Sequence, residues 1–162
     1  MTTSPALTVV SGDALDLLAD GTIMALGHQV NARGVMGAGI ARAIRDRFPR
    51  AFTAYRLAWQ AHQLVLGACL PVEVTPGRFI VHLVGQAGYG VGRRHTDYAA
   101  LVTALTRFGY WARERSVVPG LPYGLGCGLA GGDWTIVQRL IAVAIPEAVV
   151  IHLDRAGEEI IS

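Results

Sequence analysis

The sequence predicts an α/β domain with a mixed, mostly parallel central sheet covered by helices on both faces. Three observations lead there. Strand-like and helix-like segments alternate along the chain, several strands are continuous apolar runs, and two glycine-rich segments sit where a strand hands over to a helix. Continuous apolar strands are those buried on both faces, which is the situation of a parallel sheet between helices. The 162 residues are 52% hydrophobic and 16% charged, so one compact domain spanning 1–162 can bury a sound core.

Leu7–Val10 is a short β-rich run, followed by Gly12-Asp13 and a helical turn through Leu18. Thr22–Val30 reads as a buried strand, with His28 facing its interior, and ends at the first glycine loop, Asn31–Ala41. From Ala38 the positions Ile40, Ala41, Ile44 and Phe48 keep helical spacing, with Arg42, Arg45, Asp46 and Arg47 outward. Pro49 interrupts that helix, and Ala51–His62 forms another carrying Phe52, Tyr55 and Trp59. Leu70–Val74 and Phe79–Val84 flank the turn Thr75-Pro76-Gly77-Arg78, a hairpin signal. After a loop at Gln86–Gly92, Thr96 is expected to cap a long helix running to about Arg115. Val117–Leu121 is a strand leading into the second glycine loop, Gly124–Trp134. A helix capped near Asp133 ends before Pro146, Ala148–Leu153 is the last strand, and the tail after Asp154 is surface.

Ligands in such sheets bind beyond the carboxyl ends of the strands, where both glycine loops sit. Free N–H groups at a loop that opens a helix favour an anion, usually phosphate. Two such loops in one domain suggest a ligand with more than one phosphate, such as a nucleoside diphosphate.

Composition removes several alternatives. The net charge of +2 demands no nucleic-acid partner. All 14 basic residues are Arg, so no Schiff base, Walker-type lysine or lysine general acid operates here. Cys69 and Cys127 match no metal or redox spacing, which fits reduced thiols in a cytoplasmic protein without a metal or redox cofactor. The N-terminus does not read as a signal peptide, and Pro146 and Glu147 break the late apolar region, so no membrane association is expected. Gly126–Gly131 formally matches GxGxxG, with Asp154 at the distance of a ribose-binding acid, but a single strand follows it, too little for a Rossmann unit. Cys127 lacks the G-x-C-x-G elbow, because Leu occupies positions 125 and 129, and suits the lining of a phosphate loop better than a nucleophile.

Gly12-Asp13, the segment Val30-Asn31 to Met36-Gly37-Ala38-Gly39-Ile40-Ala41, His95-Thr96-Asp97-Tyr98, and Pro122–Leu129 occur in the order found in macrodomains. From about Val9 to Leu153 the chain resembles the branch that includes ADP-ribosyl-glutamate hydrolases and ADP-ribose-1''-phosphate processing proteins. The resemblance implies a three-layer α/β/α fold and a set of ADP-ribose contacts. Asp13 would accept from the adenine 6-amino group, and His152 would flank the adenine. Asn31 would stand beside the distal ribose. Gly37, Ala38, Gly39 and Ile40 would grip the diphosphate from one side, and Gly124, Gly126, Cys127, Gly128 and Leu129 from the other.

Two departures bear on catalysis. The glutamate-specific hydrolases use a Lys after the hairpin and an Asp directly after Gly-Cys-Gly-Leu, whereas this chain has Gln86 and Ala130 there, with the nearest acid at Asp133. An ADP-ribosyl ester of glutamate still suits it, because the leaving carboxylate needs no proton. Asn31, Gln86 and Asp133 are then the candidates for orienting a water at C1''. The expected function is ADP-ribose binding with removal of mono-ADP-ribose from acidic side chains of proteins, by a monomer. The rivals are a non-catalytic reader, an ADP-ribose-1''-phosphate phosphatase and a DNA-base de-ADP-ribosylase; the low charge and lack of a basic stripe argue against the last. Arg93-Arg94-His95 is left as a surface cluster able to meet phosphate or a modified protein.

Overall fold

The computed structural model describes residues 6–153. Eleven elements follow in order: β1 (Thr8–Ser11), α1 (Ala14–Asp20), β2 (Ala25–Asn31), α2 (Gly39–Arg47), α3 (Pro49–Gln60), β3 (Cys69–Thr75), β4 (Arg78–Gln86), α4 (Tyr98–Arg115), β5 (Pro119–Pro122), α5 (Trp134–Ala144) and β6 (Val149–His152). The six strands form one sheet in the order β1-β6-β5-β2-β4-β3, parallel except for the β3–β4 hairpin.

Side chains alternate across the pleat, so neighbouring strand residues feed different layers. Leu26, Val30, Ile80 and Val84 pack with Leu15 and Leu18 of α1, Ile44 of α2 and Tyr55 of α3. Ala25, Val81, Leu83 and Leu121 pack with Leu101, Leu105 and Phe108 of α4 and Val137 and Ile141 of α5. The result is a three-layer α/β/α arrangement with five helices divided three to two.

Some boundaries differ from the sequence reading. Pro49 starts α3 rather than merely ending α2, because a first-turn residue needs no N–H donor and proline's φ already suits a helix. Asp97, not Thr96, caps α4: its carboxylate accepts from the N–H of Ala100 at 3.0 Å, while the Thr96 hydroxyl is engaged elsewhere. β5 begins at Pro119, since Val117 donates its N–H back to Ala112 at the end of α4. The tail and Asp154 lie outside the described residues. Among those described, no helix is long and apolar enough to cross a membrane.

Two histidines bind α3 to the sheet. His28 on β2 and His82 on β4 are fully buried, with His28 Nε2 2.7 Å from His82 Nδ1 and His82 Nε2 2.9 Å from the Ala51 carbonyl. A carbonyl only accepts, so His82 carries its proton on Nε2 and its Nδ1 accepts from His28 Nε2–H. His28 Nδ1 is then a bare, buried lone pair. Burial holds both rings neutral. It pushes His82 down to about 4 and His28 well below the usual imidazole range, with His82 contributing to the latter.

Candidate functional site

Beyond the carboxyl ends of β2, β4 and β5 lies a cavity of about 530 Å³. Three backbone segments wall it: the first glycine loop, the loop after β4, and the second glycine loop. Among the described residues its lining contains no Asp, Glu, Arg or His; the titratable side chains on it are the phenols Tyr89 and Tyr123. Any charge placed there meets backbone dipoles rather than ions.

Asn31 builds the first wall. Its Oδ1 accepts from the N–H groups of Arg33 at 3.0 Å and Val35 at 3.3 Å, and its Nδ2 donates to the Val35 carbonyl at 2.7 Å. This is the asparagine-turn geometry that a short amide side chain favours. The Tyr55 hydroxyl of α3 lies 2.6 Å from the Asn31 carbonyl oxygen and 2.9 Å from Oδ1, and burial pushes the phenol's pKa up. Asn31 therefore lines the cavity with an amide already spent on the loop.

The wall ends at α2, whose cap position is Ala38, without a side-chain hydrogen bond. By contrast α1, α4 and α5 carry the aspartate caps Asp13, Asp97 and Asp133. The helix that opens on the cavity thus presents uncapped N–H groups at Gly39, Ile40 and Ala41, all lining residues. An anion bound there would supply the cap.

The second wall is a chain of tight turns. Cys127 N–H donates to Gly124 at 2.8 Å, Gly131 to Gly128 at 3.0 Å and Gly132 to Gly126 at 2.9 Å. Among the described residues, the N–H groups of Gly126, Gly128, Leu129 and Ala130 have no backbone acceptor. They are the donors left for a ligand. Cys127 is absent from the lining: its thiol donates to the Leu125 carbonyl at 3.3 Å, and burial, reinforced by the Asp133 charge, pushes it up to about 11. A protonated thiol is no nucleophile.

The third wall starts at Gln86. The β2–β4 register slips between Val30 and Asn31, so that Asn31 faces Gln86 and Gly85 is left over. Such bulges re-aim side chains at strand ends. Gln86 Oε1 accepts from Gln29 Nε2 at 2.7 Å, and its Nε2 donates to the Gly88 carbonyl at 2.8 Å.

The structure brings Asn31, Gly37, Ala38, Gly39, Ile40, Gln86, Gly124, Gly126, Gly128 and Leu129 onto one cavity. Asp13 and Asp133 are not in the lining. Asp13 Oδ1 accepts from Leu15 and Asp16 N–H, and Asp133 Oδ1 from Thr135 N–H at 2.8 Å. His152 stands behind the lining residue Tyr123, ring centroids 4.5 Å apart, with its carbonyl accepting from Gly12 N–H. Arg93 and Arg94 are exposed near the Gln86–Val91 loop, and Arg33 lies beside Gly88. The sequence reading passed over Gln29 and the phenols of Tyr55 and Tyr123. Gln29 carried a signal: with His28 it is a polar residue inside a largely apolar strand, and it stands two positions before Asn31 and so on the same face.

No family model matches the chain. The DNA ADP-ribosyl glycohydrolase of Mycobacterium tuberculosis is 30% identical over 137 residues, 84% of this chain and 38% of that protein. The chain thus spans well under half the length of the curated relatives it matches. Among solved structures, a macrodomain protein from Streptomyces coelicolor superposes with a TM-score of 0.72 at 28% identity, covering 93% of this chain and 100% of the other. The macrodomain of M. tuberculosis DarG gives 0.71 at 25% identity, with coverage of 93% and 100%. A mostly parallel sheet between two helical layers, two glycine loops meeting on one cavity, and these likenesses together show that the chain has the macrodomain fold.

Proposed function

We propose that the cavity binds ADP-ribose with its diphosphate between the two glycine loops, and that the chain hydrolyses mono-ADP-ribose from glutamate side chains. One observation carries the binding: the residues at the uncapped start of α2 and those of the second loop with unpaired N–H groups line the same cavity. The DNA ADP-ribosyl glycohydrolase relatives support ADP-ribosyl chemistry in general.

The lining supports the choice of linkage. With no carboxylic acid, imidazole or ammonium in it among the described residues, and only the weakly acidic phenols of Tyr89 and Tyr123, the lining favours a leaving group that can depart unprotonated. An acyl link satisfies this: water oxygen bonds to C1'', the C1''–O bond breaks with its electron pair moving to the carboxylate, and the water gives its second proton to solvent. The bound diphosphate lies near the cationic centre that develops at C1'', and the one amide N–H that Asn31 and Gln86 each keep beyond their wall bonds orients the water. Asp133 would act from outside the lining, through the second loop. Asp13 and His152, at the ends of β1 and β6, are assigned to the adenine side, next to Tyr123. The protein acts as a cytoplasmic monomer in this reading, without metal or redox cofactor.

A second reading takes its substrate from the relatives, an ADP-ribosyl group on DNA. Arg33, Arg93 and Arg94 favour it. They are exposed near the mouth, and no ion pair engages them among the described residues. Calorimetry with ADP-ribose tests the binding. Parallel incubation with a glutamate-ADP-ribosylated protein, an ADP-ribosylated oligonucleotide and ADP-ribose-1''-phosphate tests the reaction. Release from the protein alone supports the proposal, release from the oligonucleotide transfers it to DNA, and phosphate release makes the chain a phosphatase. Tight binding without any turnover makes it a reader. Ala substitutions at Asn31, Gln86 and Asp133, with turnover measured separately from affinity, rank the three.

A further inference from the structure

Gln29 lines the cavity where two of its walls meet. Its Nε2 donates both to Gln86 Oε1 at 2.7 Å and to Thr96 Oγ1 at 2.9 Å. The Thr96 side chain is almost wholly buried, and its hydroxyl donates to the Gly126 carbonyl at 2.6 Å. That carbonyl also accepts from Gly132 N–H, so it is held at two points. In the other direction Gln86 holds the Gly88 carbonyl. One uninterrupted run of hydrogen bonds therefore reads Gly88–Gln86–Gln29–Thr96–Gly126, from the loop after β4 to the second glycine loop.

Each donor in the run has one direction available. Thr96 spends its only proton on Gly126 and can meet Gln29 only as an acceptor, which fixes Nε2 toward Thr96 and Oε1 away from it. Gln29 Oε1, buried and unpartnered, then lies against the Cα atoms of Gly85 and Gly126. A Cβ at Gly85 would stand 2.5 Å from it and one at Gly126 2.7 Å. Gly126 also has φ +71°, in the left-handed region that favours glycine. The extra residue of the β4 bulge and the turn residue of the second loop are thus shaped around one amide.

We propose that Gln29 and Thr96 are positioning residues that set the second glycine loop against the Gln86–Gly88 wall. The Gly126 carbonyl, held by Thr96 as well as by Gly132 N–H, fixes the turn from which the free N–H groups of Gly128, Leu129 and Ala130 follow on the cavity lining. Without Thr96 the turn keeps only the Gly132 and Cys127–Gly124 backbone bonds, and it loosens against the Gln86–Gly88 wall. The part of this inference that concerns ligand affinity rests on the ADP-ribose reading above; the part that concerns the loop's order does not.

The test uses Thr96→Val, Thr96→Ser, Gln29→Met and the double variant Thr96→Val/Gln29→Met. ADP-ribose affinity is read by calorimetry well below each melting temperature. Protection of the Gly132 amide is read by hydrogen exchange. Thr96→Val and Gln29→Met should each weaken ADP-ribose at least tenfold and cut Gly132 protection by a similar factor. Thr96→Ser, which keeps the hydroxyl, should stay within about threefold on both. The double variant should be little worse than the poorer single one, because both break the same run. Wild-type affinity in Thr96→Val, or losses that multiply in the double variant, would overturn the proposal. If the parent chain does not bind ADP-ribose, the functional reading fails, and the exchange data still decide the loop's anchoring: unchanged Gly132 protection in both single variants rejects it.

Discussion

Acidification from pH 7.5 to 5 should destabilise the fold through His28 and His82, before most carboxylates take up protons. His82 is held down to about 4 by burial, against an imidazole's ordinary value near 6.5. Below about pH 6.5 the unfolded chain binds a proton that the folded chain refuses, so ν(U) exceeds ν(N) and stability falls with falling pH. The stability is fully present above pH 6.5 and is lost progressively down to about pH 4, where the folded ring itself protonates. For His82 alone the loss is about 2 kcal/mol by pH 5 and about 3 kcal/mol in full. His28, which is also depressed, acts in the same direction. At roughly 2–4 °C per kcal/mol for a chain of this size, Tm should drop by at least about 4–8 °C over this interval. Urea unfolding at half-unit pH steps measures the slope, with m expected to stay constant. Imidazole NMR titration of the five histidines supplies a second readout, in which two rings remain neutral at pH 5. A flat stability profile between pH 7 and 5, or five rings all titrating near 6.5, would refute the buried neutral pair.

Ala38→Asp should raise stability by about 1 kcal/mol in urea unfolding by capping α2, while weakening ADP-ribose more than tenfold in calorimetry, since the new carboxylate takes the N–H groups proposed to hold the diphosphate. Tyr55→Phe leaves the Asn31 carbonyl short of its 2.6 Å donor and should cost about 1–3 kcal/mol, read from the urea midpoint at unchanged m. Cys127→Ala should leave turnover within about twofold, and iodoacetamide should label the native thiol slowly below about pH 10, because its thiolate forms only near 11.

The alternation of strands and helices, the hairpin around Gly77 and both glycine loops were legible in the sequence because each obeys a short-range rule: side-chain period, turn chemistry or glycine's access to positive φ. Asp133 as a helix cap was legible for the same reason. Thr96 shows where such rules stop. Thr and Asp at positions 96 and 97 are both good caps, and local preference cannot choose between them. The choice falls to Asp97 because the Thr96 hydroxyl is taken by a carbonyl thirty residues away in sequence. Asn31 and Gln86 likewise read as candidates for meeting a ligand, yet both amides are spent on building the walls, through partners that only the bulged β2–β4 register supplies. The fold class and the position of the two glycine loops beyond the strand ends were thus determined by the chain's local pattern. The aim of each polar group was decided by the tertiary structure alone, because a hydrogen bond depends on which distant donor and acceptor the packed sheet brings within 3 Å of one another.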